Sequence, residues 1–113
     1  MTDADRRRVL DLVQQKLKRP APVVITHGTD TVVETGLLLQ RRLRRLRFPI
    51  ILTGAMTPLG FERSDGLQNL TESLIAARIL KPGVYLVMHN QVFPVDEVRK
   101  DHKRARFVRM RRS

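Results

Sequence analysis

Apolar positions recur at helical spacing at the start of the chain. Val9, Leu10, Val13 and Leu17 share one face of residues 3–19, which predicts an amphipathic helix. Thr2 is placed to cap it, and Asp5 three positions on completes a capping box. Pro20 and Pro22 stop it. The pattern then changes. Residues 22–26, PVVIT, are a short continuous apolar run whose length, β-branched content and flanking prolines predict a buried strand.

The alternation repeats twice more. Val32, Thr35, Leu39, Leu43 and Leu46 form one stripe of a second helix over 31–46. Gly36 inside it costs about 1 kcal/mol relative to Ala and points to close packing on a sheet. PIILT at 49–53 is a second buried strand, and the turn-rich GAMTPLGFERSDG that follows is a loop. A third helix spans 66–80, capped by Ser64 or Asp65, with Leu67, Leu70, Leu74 and Ala77 facing inward and Pro82-Gly83 ending it. VYLVM at 84–88 is the third strand, followed by a basic tail.

Helices alternating with uniformly apolar strands predict an α/β fold of three layers, a parallel sheet with helices on both faces. Three parallel strands are few, and both faces and both edges of such a sheet need cover. A chain of 113 residues makes one domain or part of one. The pattern thus predicts a piece of a larger α/β domain, or a chain that needs a partner.

Composition narrows the functional classes. There is no cysteine, which excludes a disulfide scaffold and a Cys-based metal site and fits a reducing compartment. Hydrophobic content of 42% and charged content of 29% are those of a globular chain rather than a disordered one. No apolar run approaches the ~20 residues of a bilayer span, so no membrane partner is expected. MTDADRRRVL has no apolar core, so no signal peptide is read.

The net charge of +11 is concentrated in places. Residues 41–47, RRLRRLR, carry five Arg, and 99–113 carry eight Lys and Arg against one Asp. Such stripes attract polyanions by counterion release. An Arg-rich solvated face is the simpler account, because the aromatic residues of a nucleic-acid surface are nearly absent at 4%. Nucleic acid is therefore not the expected partner.

Ligands of an open parallel sheet bind beyond the carboxyl ends of its strands. Three loops fall there: THGTDT, TGAMTP and HNQVFPVDEVRK. In the first, Gly28 allows a tight turn. Thr29 and Asp30 then open the second helix, where free N–H groups hold anions. Asp30 can hold a cation such as an α-ammonium group, and Thr29 has a hydroxyl that a base can activate. An ordinary helix cap is the competing account of both.

In the second loop the backbone of Gly54 and Ala55 can line the site, and a plain connection is the alternative. In the third, Lys100 is either one more surface lysine or a base, if it reaches Thr29. Lysines packed at the dry end of a sheet can serve as bases. His27 reads as a packed, hydrogen-bonded residue. His89 and His102 lack metal spacing, so no metal site is argued. No GxGxxG, GxxxxGK[ST] or GxSxG occurs, and no cofactor is expected.

At VVITHGTDTVVET the chain resembles the bacterial L-asparaginase family. The likeness continues in order through PIILTGAMTP, FERSDGLQNL, GVYLVMHNQVF and VDEVRKD. It is similar above all to the short, single-domain members, and even MTDADR resembles the segment that opens the preceding helix there. The resemblance implies an asparaginase-like α/β domain over 1–108 with a basic tail at 109–113. It further implies hydrolysis of the side-chain amide of L-asparagine, possible use of L-glutamine, a homo-oligomer and a cytoplasmic location.

Carried over by motif, the catalytic residues are Thr29, Asp30 and Lys100, and the substrate is bound by Gly28, Thr29, Asp30 and Ala55. The resemblance gives Thr29 a hydrogen bond to Lys100 that helps activate the nucleophile or water. It gives Asp30 the α-ammonium of the substrate, and Ala55 a backbone carbonyl near the side-chain amide. The family's primary nucleophile lies in a Gly-Gly-Thr loop, and this sequence contains no Gly-Gly-Thr. The resemblance therefore implies a domain truncated at its N-terminus. Three functions stay open: an asparaginase-like amidohydrolase acting through a Thr-dependent acyl-enzyme, an inactive remnant of that fold, and a basic nucleic-acid-binding protein.

Overall fold

In the computed structural model, residues 2–57 and 64–110 are described. The expected PLGFER part of the long loop and the last three residues of the basic tail lie outside them. The elements run α1 (Asp3–Lys16), β1 (Val23–Thr26), α2 (Val32–Arg42), β2 (Pro49–Thr53), α3 (Gly66–Ile79) and β3 (Gly83–Met88). Then follow β4 (Gln91–Pro94), a 3₁₀ turn (Val95–Glu97), β5 (Val98–Asp101) and β6 (Arg106–Arg109).

The main sheet has the order β1-β2-β3-β4. Its first three strands are parallel, with Val23 beside Ile50 and Ile50 beside Val84. The fourth is antiparallel, with Leu86 opposite Phe93. The expected parallel sheet is thus a mixed one. The reversal takes two residues, His89 and Asn90, both at positive φ (49° and 65°), the backbone that a tight right-twisted hairpin demands.

Residues expected to trail off as a basic tail instead build a second sheet. β5 pairs antiparallel with β6, and Lys100 lies opposite Phe107. Phe107 and Val98 are buried, which seats the hairpin on the body of the molecule. The Asp101 carboxylate accepts hydrogen bonds from the Lys103 and Arg104 amides and closes the turn.

Period-two alternation sends β2 and β3 side chains to two cores. Ile50, Leu52, Leu86 and Met88 pack with Val13 of α1, Val32 and Leu39 of α2, and Phe107 of the hairpin. Ile51 and Val87 face the other way, against Ala76 and Ala77 of α3. The sheet is therefore covered on both faces, as expected of three layers. Gly36 lies against Val95 and Leu52, so a Cβ there would collide with the Val95 side chain. The expected close packing of that glycine is real.

Helix ends differ from expectation by local chemistry. The Thr2–Asp5 capping box forms at the start of α1, but the helix stops at Lys16 rather than residue 19. α2 ends at Arg42 rather than 46. Leu43 turns extended and Arg45 takes a positive φ of 57°, so that buried Phe48 can lead the chain into β2.

α3 turns only part of the expected face inward: Ala77 is buried and Leu70 half-buried, but the other two leucines are not. Asn69, Ser73, Ala76 and Ala77 are buried, whereas Leu67 is 70% exposed and Leu74 53% exposed. Small residues let the helix lie close on the sheet. Asn69 donates to the Gly54 carbonyl and accepts from the His89 amide. These bonds set the rotation of the helix about its axis and override the leucine spacing. Ile75 and Ile79 are left on the outside as well.

Candidate active site

β1 and β2 end side by side, Thr26 against Thr53, so the first two candidate loops leave the sheet together. Their closeness depends on Gly54. A Cβ on Gly54 would strike the His27 carbonyl oxygen and would lie 3.4 Å from the Thr29 Cγ2. Gly28 behaves differently. A Cβ there would meet nothing within 4 Å, and its φ is not positive. The expected need for glycine in that turn is corrected: the tight approach is at Gly54, and the space above Gly28 is open.

His27 is buried beneath the first loop. Its Nδ1 lies 2.6 Å from the Gly28 carbonyl, which can only accept, so Nδ1 carries the proton. Its Nε2 lies 2.8 Å from the Thr35 hydroxyl on α2. The ring thus braces the loop against the helix, in keeping with its expected packed role.

Thr29 and Asp30 precede α2 without capping it. The cap position belongs to Thr31, which makes no side-chain capping bond. Instead both side chains meet Lys100. Lys100 Nζ donates to Thr29 Oγ1 at 2.9 Å and to Asp30 Oδ1 at 2.7 Å. Lys100 shares its strand face with buried Val98. Its side chain is 14% exposed, against 82% for Asp30. The hydrogen bond and charge of Lys100 lower the Asp30 carboxyl below its ordinary value, with a smaller contribution from His102. Lys100 was expected in a loop; it stands on β5, and the hairpin brings it to the first loop.

Ala55 sits between pinned neighbours in the second loop. Asn69 Nδ2 holds the Gly54 carbonyl at 2.9 Å, and the Met56 and Thr57 amides donate to Asp65 at 3.1 and 3.0 Å. Asp65 occupies the cap position of α3, as one of the two expected caps, but makes no side-chain capping bond. It also accepts from Asn69 Nδ2 at 2.9 Å and from His89 Nε2 at 2.5 Å. Burial alone would raise its carboxyl, but these four donors outweigh it and hold the group at about 2. Sequence reasoning missed this junction. Its signal was Ser64-Asp65-Gly66 directly before a helix, which capping explains equally well.

A broad groove of about 820 Å³ lies elsewhere, between α1 and α2, lined by Arg6, Leu10, Glu34, Leu37 and Arg41 among others. It contains none of the candidate residues. Among the described residues, no group of three or more His, Asp or Glu is placed to hold a metal ion.

Comparison with known proteins settles the family. The family described as Asparaginase, N-terminal matches residues 1–107. The chain belongs to the asparaginase family. The L-asparaginase of Thermococcus kodakarensis is 38% identical over 80 residues, which cover 71% of this chain and 24% of that protein. L-asparaginase 1 of Escherichia coli strain K12 is 33% identical over 103 residues, covering 90% and 30%. The solved structure of the thermostable L-asparaginase from T. kodakarensis superposes with a TM-score of 0.84 at 31% identity, covering 90% of this chain and 31% of that one. The chain thus spans less than a third of these asparaginases. No helix among the described residues is long and apolar enough to cross a membrane.

Proposed function

We propose that this asparaginase-family chain carries out, or supplies part of the site for, hydrolysis of the side-chain amide of L-asparagine to L-aspartate and ammonia. The observation that supports it is the contact of Lys100 Nζ with both Thr29 Oγ1 and Asp30 Oδ1 at the carboxyl edge of the sheet. Asp30 is exposed and anionic, and receives the substrate α-ammonium. That ammonium competes with Lys100 for the same carboxylate, so substrate binding loosens the ion pair and frees Nζ to exchange a proton with Thr29.

Once the substrate ammonium has replaced it on Asp30, Nζ gives a proton to solvent; Thr29 Oγ1 then passes its own proton to the free amine and attacks the side-chain amide carbon. The tetrahedral intermediate collapses as the leaving nitrogen takes that proton back from Lys100, and ammonia departs. Water then cleaves the acyl-threonine ester and restores the hydroxyl. The backbone of Gly28 and the Ala55 carbonyl line the pocket, the latter accepting from the amide nitrogen. L-glutamine fits the same Thr-Asp pair with one more methylene. No cofactor takes part.

The absence of Gly-Gly-Thr favours a second reading, a site that binds without turnover. Ammonia release from L-asparagine by the chain and by Thr29→Ala, each shown folded by circular dichroism, decides between them. Release abolished by Thr29→Ala supports the first; none from the folded wild type supports the second.

The assembly proposed is a cytoplasmic homo-oligomer. The exposed Leu74, Ile75 and Ile79 face of α3 supports the oligomer, and the cysteine-free composition fits a reducing compartment.

A further inference from the structure

We infer that Asp65, at the cap position of α3, is a positioning residue that aims the Ala55 carbonyl at the substrate. This rests on the proposed role of Ala55. Ala55 and Met56 share one planar, trans peptide unit. The carbonyl of Ala55 and the N–H of Met56 therefore point in opposite directions. Asp65 Oδ2 takes that N–H at 3.1 Å, and Oδ1 takes the next one, from Thr57, at 3.0 Å. With the N–H turned toward α3, the carbonyl is turned away from it.

The carboxylate is itself held from two further elements. Asn69, fully buried one turn along α3, donates to Asp65 Oδ2 and to the Gly54 carbonyl through the same amide nitrogen. His89, from the β3–β4 turn, donates Nε2–H to the same oxygen, while its backbone N–H goes to Asn69 Oδ1. The second loop is thus fastened on both sides of Ala55. An ordinary helix cap would accept from backbone N–H groups of α3; the Asp65 side chain makes no such capping bond and accepts instead from the loop N–H groups and from the Asn69 and His89 side chains.

The test uses the full chain carrying Thr29→Ala, which prevents turnover, with L-asparagine as probe because its side-chain amide has the N–H that the Ala55 carbonyl accepts. Asp65→Asn keeps the size but sets an amide N–H against a donor. Amide hydrogen exchange at Met56 and Thr57 is expected to quicken at least tenfold, while Ile51 and Leu52 in β2 keep their protection. L-Asparagine binding is expected to weaken at least tenfold. Should Asp65→Asn fail to fold, His89→Asn removes one donor, keeps a residue type at home at positive φ, and is expected to shift both readouts in the same direction.

Unchanged exchange at Met56 and Thr57, or equal acceleration across the chain, overturns the clamp. Selective exchange with unaltered binding overturns its link to substrate. A folded chain that binds no L-asparagine, with or without Thr29→Ala, overturns the proposed function and the substrate half of this inference with it; the exchange data still judge the clamp alone.

Discussion

Lys100 donates a 2.9 Å hydrogen bond to Thr29 across 71 residues of chain. The distance in sequence is closed by one reversal after β3, a 3₁₀ turn and the β5–β6 hairpin. Buried Val98 and Phe107 press the hairpin down, so apolar packing places the polar contact.

Removing either partner should therefore abolish the proposed chemistry without unfolding the chain. Thr29→Ala and Lys100→Met are each expected to lower ammonia release from L-asparagine by about 100-fold or more, the scale of a lost proton-transfer partner. Circular dichroism should be unchanged. Activity retained in Lys100→Met would show that the lysine is only a surface ion.

The ion pair predicts a titration. Lys100 lowers the Asp30 carboxyl, so its contribution to stability is complete above the ordinary value of 3.8 and is lost as pH falls through its lower folded value. Carbon-13 detected titration of the Asp30 carboxyl should move upward in Lys100→Met. An unmoved titration would contradict the contact.

Asp65 has the same sign and a larger shift. Its folded value of about 2, against 3.8 ordinarily, makes its contribution full above about pH 4 and lost progressively toward pH 2. The Tm difference between wild type and Asp65→Asn should be largest near neutral pH and shrink over that window. A constant difference down to pH 2 would mean that the charge does not matter.

Gly54→Ala tests the join between the first two loops. The added Cβ meets a backbone oxygen of His27, which yields less readily than a side chain. A loss of about 1–3 kcal/mol in denaturant unfolding is expected, the usual cost of overpacking. Gly28→Ala, whose Cβ meets nothing, should leave stability nearly unchanged.

The outer face of α3 predicts assembly. Leu74→Lys with Ile79→Lys should reduce the particle mass in light scattering while leaving the fold intact, because both side chains are more than half exposed in the single chain. A wild type that is monomeric at high concentration would refute the proposed homo-oligomer.

Much of this molecule was legible in one dimension. Ile50, Ile51 and Leu52 form a strand buried on both faces, and three consecutive apolar residues announce that without knowledge of any neighbour. The Thr2–Asp5 box is written within four residues. THGTDT follows a strand and opens a helix, and β–α order alone puts such a loop at the ligand edge. These features depend on backbone propensity, periodicity and local capping, which are properties of a single segment.

Tertiary structure decided the rest. Asp65 and Thr29 were each readable as a helix cap; Asp65 holds the cap position and Thr29 does not, and neither side chain makes a capping bond. Each bonds to a group that another element brings within about 3 Å. α3 carried enough leucine and isoleucine to suggest a stripe, yet Asn69 turned it by bonding Gly54 and His89 at once. Lys100 was one basic residue among 22 until the hairpin seated it. A polar side chain takes its role from the partner it meets, and that meeting is fixed by the packing of the whole chain rather than by the residues on either side.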